Sequence, residues 1–147
     1  MYQLFYVSNV SKDFNPHEDI KKILSVAHKT NSEQGISGIL LFHGGIFLQL
    51  LEGDKEKVEK LYLKIEQDRR HSNVIKLIAT EGNQRLFPDW TMAFHEVKGT
   101  DIKLVNQIMS WTHKINKAES IDNQLILSLI SNFKQYLHLG DDKNQSA

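Results

Sequence analysis

Five positions carry side chains whose chemistry needs a partner. Gln49 lies in Gly45–Gly53, GIFLQLLEG, among Phe47, Leu48, Leu50 and Leu51. An amide offers two donors and two acceptor sites, and burying one without partners costs about 1–3 kcal/mol. The ordinary solution is a strand edge, where the amide reaches backbone or water; the functional one is a bound polar ring. Tyr6 alternates in phase with Leu4 and Ser8, as a core tyrosine with its hydroxyl at the sheet edge commonly does. Asn31 falls at the end of a predicted helix, where Asn is most often a C-cap. Arg70 and His71 follow a second predicted helix. A basic pair there usually complements the helix dipole, and a phosphate site is the functional alternative, because the guanidinium is a fork of donors.

Other residue types assemble nothing comparable. The seven histidines show no HxxxH or HxH spacing, which argues against a metal site. GxGxxG and the P-loop are both missing, and Ser8, Ser25 and Ser37 stand in no nucleophile-elbow context. Asp13, Glu18 and Asp19 read as helix-start charges. Glu52 is a general base by type, but beside a turn and without an evident partner it reads as a solvent-facing carboxylate. No cysteine is present, so disulfides, thiolate metal sites and cysteine nucleophiles are excluded. A catalytic site is not expected.

The elements that must position these side chains follow from periodicity. Tyr2–Ser8 reads as a strand. Asn15-Pro16 opens a helix, with Ile20, Ile23, Leu24 and Ala27 as its apolar stripe. A strand at Ile39–Phe42, a turn at His43-Gly44-Gly45 and a returning strand at Ile46–Leu51 come next. Asp54 caps a second helix with Val58, Leu61, Tyr62 and Ile65 as its stripe, ended by Asp68–Asn73. Val74–Thr80 and Thr91–Val97 read as the fourth and fifth strands. The order βαββαββ predicts an α+β, ferredoxin-like sandwich. Two further helices are predicted, one carrying Ile102, Val105, Ile108 and Met109, and a longer amphipathic one from Ile121 to Leu137. The expected organisation is a sandwich over 1–98, a helical extension over 99–139 and a polar tail over 140–147.

The bulk numbers agree with one soluble domain. The chain has 147 residues, 40% of them hydrophobic, with 18 basic and 18 acidic residues. The zero formal charge gives no support for nucleic-acid or membrane-surface binding, no apolar run is long enough to span a bilayer, and the start lacks a signal-peptide pattern. A cytoplasmic protein is expected.

Taken together, the residues resemble a BLUF domain, the flavin-based blue-light sensor. The likeness runs from Tyr2 to about Val97 and rests on five fragments in order: FYVS at Phe5–Ser8, NSEQGISGILLF at Asn31–Phe42, FLQLLEG at Phe47–Gly53, DRRHSNV at Asp68–Val74 and RLFPDWTM at Arg85–Met92. It implies noncovalent FAD between the two helices. Tyr6 matches the photoactive tyrosine, and Gln49 the glutamine that bridges it to the flavin. Asn31 matches the residue on the pyrimidine edge, and Ile23 and Ile65 those that flank the ring. Arg70 and His71 fall where members contact the ring edge and the ribityl–phosphate side, with Asp68 nearby. Trp90 and Met92 match the pair that exchanges near Gln49. The departures are Thr30, where some members have Asn or His, and Ser37, where many have Thr.

The mechanism this resemblance implies is light-driven electron transfer from Tyr6 to FAD, proton transfer through Gln49, and recombination that leaves a rearranged hydrogen-bond network. The chain's length and two trailing helices also resemble the short members without a fused output domain. A non-enzymatic photoreceptor is therefore expected, signalling through a downstream protein or through a homo-oligomer, a dimer or larger ring. The stripe from Ile121 to Leu137 is one candidate contact; packing on the sheet is the other reading of it. The alternatives are a flavin redox enzyme and a ligand-free interaction module.

Overall fold

A computed structural model describes residues 1–82, 84–89 and 91–96, together with Asn106 and Ser110, which are helical and exposed. Its elements are β1 (Tyr2–Val10), α1 (Pro16–Gln34), β2 (Ser37–His43), β3 (Ile46–Gly53), α2 (Lys55–Glu66), β4 (His71–Glu81) and β5 (Ala93–Glu96). The strands form one sheet in the order β4-β1-β3-β2-β5. Each helix joins two strands with a third between them: α1 links β1 to β2 around β3, and α2 links β3 to β4 around β1. These interleaved split βαβ units make the ferredoxin-like sandwich, to which β5 adds a parallel partner for β2.

Local chemistry sets the boundaries. The Asn15 side chain accepts from the His17 and Glu18 amides, and Pro16 follows in the first turn of α1, where its missing N–H is not needed. Gly35, at φ 68°, caps the other end and donates to the Asn31 carbonyl. The cap is thus Gly35, which leaves the Asn31 side chain available for other work. Asp54 caps α2 by accepting from the Lys57 amide. Between β2 and β3, Gly44 and Gly45 both have positive φ, 50° and 82°, as a two-residue hairpin turn requires.

Alternation builds two buried faces. Leu4 and Tyr6 of β1, Leu40 and Phe42 of β2, and Phe47 and Leu51 of β3 pack against Ile20 and Leu24 of α1 and Val58 and Tyr62 of α2. Gln49 shares this helix-covered face, because successive strand residues point to opposite sides. Phe5, Val7, Ile39, Leu41, Leu48 and Leu50 alternate with that set and are buried too.

Three edges differ from expectation. β1 continues to Val10 and β4 begins at His71, because Asn9 pairs with Ser72 and Val10 with His71; the polar His-Ser-Asn run conceals this extension of the ladder. β5 starts at Ala93 rather than Thr91, since the Thr91 carbonyl accepts from a side chain, as described below. The expected helices around 102–109 and 121–137, the polar tail and the boundaries at 98 and 139 lie outside the described residues, except for Asn106 and Ser110.

Candidate functional site

A cleft of about 250 Å³ opens between α1 and α2 over the helix-covered face of the sheet. Ile23 and Ala27 of α1 and Leu61 and Ile65 of α2 give it aliphatic walls, while Tyr6, Leu40, Phe47 and Gln49 form its floor. Asn31 closes one end, and Asp68, Arg70 and His71 line it from the α2–β4 connection. Tyr6, Ile23, Asn31, Gln49, Ile65, Asp68, Arg70 and His71, distant in sequence, are thereby gathered around one space. Met92 lies against Gln49, and Trp90 lies outside the described residues.

Tyr6 and Gln49 are directly opposite each other in the β1–β3 ladder. The Tyr6 hydroxyl donates to Gln49 Oε1 at 2.5 Å, and Gln49 Nε2 donates to Met92 Sδ at 3.3 Å. Both side chains are buried, and so is Met92. The amide thus has a strong partner at its acceptor end and a weak one, a thioether, at its donor end. Burial first, and then the neighbouring Tyr62 and Asp68, push the Tyr6 phenol well above its ordinary pKa. It remains a neutral donor throughout the physiological range. The Tyr62 ring centre lies 5.7 Å from that of Tyr6.

Asn31 Nδ2 donates to the Thr91 carbonyl at 2.9 Å, and His28 Nδ1 meets Thr91 Oγ1 at 2.7 Å. His28 and Asn31 are three apart on α1 and share a face. Together they hold the residue next to Met92. Sequence reasoning passed over His28, although its helical spacing from Asn31 was a usable signal.

His71 Nε2 lies 2.5 Å from the Ile65 carbonyl, and Nδ1 2.8 Å from Ser8 Oγ. A carbonyl only accepts, so Nε2 carries a hydrogen, and in the neutral ring Nδ1 accepts from the serine. The ring stands edge-on to Tyr6, 6.2 Å between centres. Arg70 grips Asp68 through both Nε and Nη2, and this pairing holds the Asp68 carboxyl below its ordinary range.

Glu52 is a correction. Expected in solvent, it is fully buried, on the sheet face away from the cleft. Its carboxylate accepts from Gln3 Nε2 at 2.7 Å and from the backbone amides of Leu86 at 2.7 Å and Phe87 at 2.8 Å. The available signal was phase: Glu52 continues the alternation of Leu48 and Leu50.

The family model for BLUF, described as sensors of blue light using FAD, matches residues 1–93. The chain belongs to the BLUF family. Its relatives include the blue light- and temperature-regulated antirepressor BluF of Escherichia coli (strain K12), 39% identical over 84 residues, which are 57% of this chain and 21% of that protein. The photoactivated adenylate cyclase subunit beta of Euglena gracilis is 37% identical over 90 residues, 60% of this chain and 10% of the cyclase subunit. This chain therefore spans only a fifth of the one relative and a tenth of the other. Among solved structures, the photo-activated state of BlsA is similar with TM-score 0.71 and 29% identity, covering 89% of this chain and 91% of that one. The dark state of BlrB, a BLUF protein, is similar with TM-score 0.62 and 33% identity, over 65% and 71% of the two chains. As a BLUF domain it is a blue-light sensor of the FAD-using kind. Among the described residues no helix is long and apolar enough to cross a membrane.

The donor set of the cleft suits this cofactor. Aliphatic side chains on two facing helices accommodate a flat ring, the floor offers an amide to a polar edge, and Lys64 brings a positive charge to the lining, where Arg70 is paired with Asp68.

Proposed function

We propose that the cleft between α1 and α2 holds FAD noncovalently and that the chain uses Gln49 to convert light absorption into a change at Met92. Ile23 and Ile65 would hold the ring, Asn31 and Gln49 its polar edge, and Asp68, Arg70 and His71 the ring edge and side chain. When bound, FAD supplies the absorption of blue light and an acceptor for an electron.

The chain's own residues do the rest. Tyr6 is the buried phenol beside the site; its neutral hydroxyl keeps a transferable proton 2.5 Å from Gln49 Oε1. With Tyr6 reprotonated at the end of the cycle, the net change is one proton moved within Gln49 from Nε2 to Oε1, which makes Oε1 a donor toward Tyr6 and Nε2 an acceptor. Rotation gives the same result, with Nε2 facing Tyr6 and Oε1 turned away. Rotation gives up the N–H···S contact to Met92, and the tautomer keeps a single N–H on that side; because the thioether is a weak acceptor, leaving it is inexpensive against a net value of about 1 kcal/mol for an ordinary hydrogen bond. Met92 then repacks, and the change passes to β5, which pairs with β2. The observation that carries this reading is the bridge that runs from Tyr6 and Gln49 on the floor of the cleft to the buried Met92.

The output we propose is a changed protein contact in the cytoplasm, either with a downstream signalling protein or within a homo-oligomer, a dimer or larger ring, and not turnover of a substrate. Trp90, by resemblance, shares the switch with Met92. Two of the relatives, a blue light-regulated antirepressor and a photoactivated adenylate cyclase subunit, support light-controlled signalling as the general theme.

The test is an absorption spectrum of the purified protein with FAD, before and after blue light and then in darkness. A small red shift that reverts supports the photoreceptor. A bleached spectrum without a shift would favour redox chemistry instead, and failure to retain FAD would leave an interaction module.

A further inference from the structure

We propose that Glu52 is a positioning residue of the switch: from the sheet face opposite the cleft, it fixes the β4–β5 connection so that Met92 remains seated on Gln49. This rests on the photoreceptor reading above. Glu52 and Gln49 both belong to β3, three residues apart and on opposite faces. Each meets the same downstream connection, Gln49 at Met92 and Glu52 at Leu86 and Phe87. The two carboxylate oxygens take consecutive backbone amides, one each, and Oε2 also accepts from Gln3. A buried carboxylate with three donors is a strong, acceptor-only fixture.

A second fastening lies beside it. Arg85 donates to the Glu52 carbonyl, to Ser37 Oγ and to the Gly35 carbonyl. It ties the connection to the end of β3, the start of β2 and the cap of α1. Phe87 and Met92 are five residues apart, a tether of at most about 17 Å when extended. Fixing Phe87 therefore restricts where Met92 can go. With the clasp closed, exchange of the Gln49 ends must displace Met92 and β5; with it open, the connection absorbs the change, and Met92 and Gln49 return to their starting arrangement more easily.

The experiment compares the parent with Glu52→Gln, which puts an NH₂ group among three donors, and with Arg85→Gln, which leaves the carboxylate intact should the first variant fail to fold. Two readouts are taken: dark recovery of the FAD-loaded protein, and amide hydrogen exchange of the protein without FAD. Either variant is expected to keep the red shift, recover about threefold faster or more, and exchange the amides of residues 91–96 about tenfold faster. Faster exchange confined to residues 84–87, with recovery unchanged, would overturn the proposal and make the clasp a local loop fastening. Absence of a photocycle in the parent would instead overturn the photoreceptor reading, while the exchange measurement would still decide whether Glu52 controls the 91–96 segment.

Discussion

Strands β1 and β3 carry two buried polar pairs, one on each face of the sheet. Tyr6 faces Gln49 across the ladder on the cleft side, and Gln3 faces Glu52 on the other, three residues along each strand. Both pairs touch the β4–β5 connection. Their chemistry differs in one respect that matters. A carboxylate accepts at both ends, so turning it over changes nothing. An amide has a donor end and an acceptor end, so turning it over rewrites every bond it makes. The pair on the cleft side can therefore hold two states, and the pair on the far side only one. A sensor needs both kinds, because a local change of about 1 kcal/mol per hydrogen bond biases an output only when its surroundings do not absorb it.

The largest expected effect falls on the fixed pair. Glu52→Leu strips two buried donors and one part-buried donor of their acceptor and is expected to lower unfolding stability by about 3–5 kcal/mol, measured from denaturant midpoints. A loss below about 1 kcal/mol would mean that the carboxylate does not hold the connection. The switching pair should respond in the opposite manner. Tyr6→Phe removes one hydroxyl and is expected to cost about 1–2 kcal/mol, yet to abolish the light-induced red shift while FAD stays bound; a normal shift in that variant would dissolve the contrast between the two faces. Asn31→Ala loses the bond to the Thr91 carbonyl and is expected to cost about 1 kcal/mol and to weaken FAD retention, read by gel filtration with absorbance detection.

The smallest effect is one of pH. The Tyr6 phenol is held above its ordinary value of 10.0 in the folded chain, and the Tyr62 phenol is pushed up to about 12, in both cases chiefly by burial. Above pH 10 the unfolded chain loses protons that the folded chain keeps, so stability falls as pH rises from there. Denaturant midpoints between pH 8 and 11 should show this fall, and Tyr6→Phe should make it shallower.

Much of the cleft side was legible in the sequence. Helical stripes gave α1 and α2, alternation placed Tyr6 and Gln49 on strands, and an amide amid apolar neighbours announced that it had partners. The far side was not. Glu52 reads as solvent-facing because a carboxylate before a Gly-Asp turn ordinarily is, and two of its three partners are backbone amides of a loop more than thirty residues away. Backbone donors leave no trace in residue type. Arg85 was hidden for the same reason, since two of its three acceptors are carbonyls. Thr91 reads as the first residue of the fifth strand, whereas its carbonyl is claimed by Asn31 and the strand begins at Ala93. Side chains that pair with side chains can be guessed from pattern; those that pair with main chain need the fold.

The contrast between the faces is tested most directly by the side-chain amide resonances of protein labelled with ¹⁵N-glutamine and loaded with FAD, recorded in darkness, under blue light and again in darkness. Gln49 and Gln3 are assigned from Gln49→Leu and Gln3→Leu. The account predicts that the Gln49 NH₂ signals move under light and return, while those of Gln3 stay in place. Gln49 signals that stay in place while the absorption spectrum shifts would contradict it.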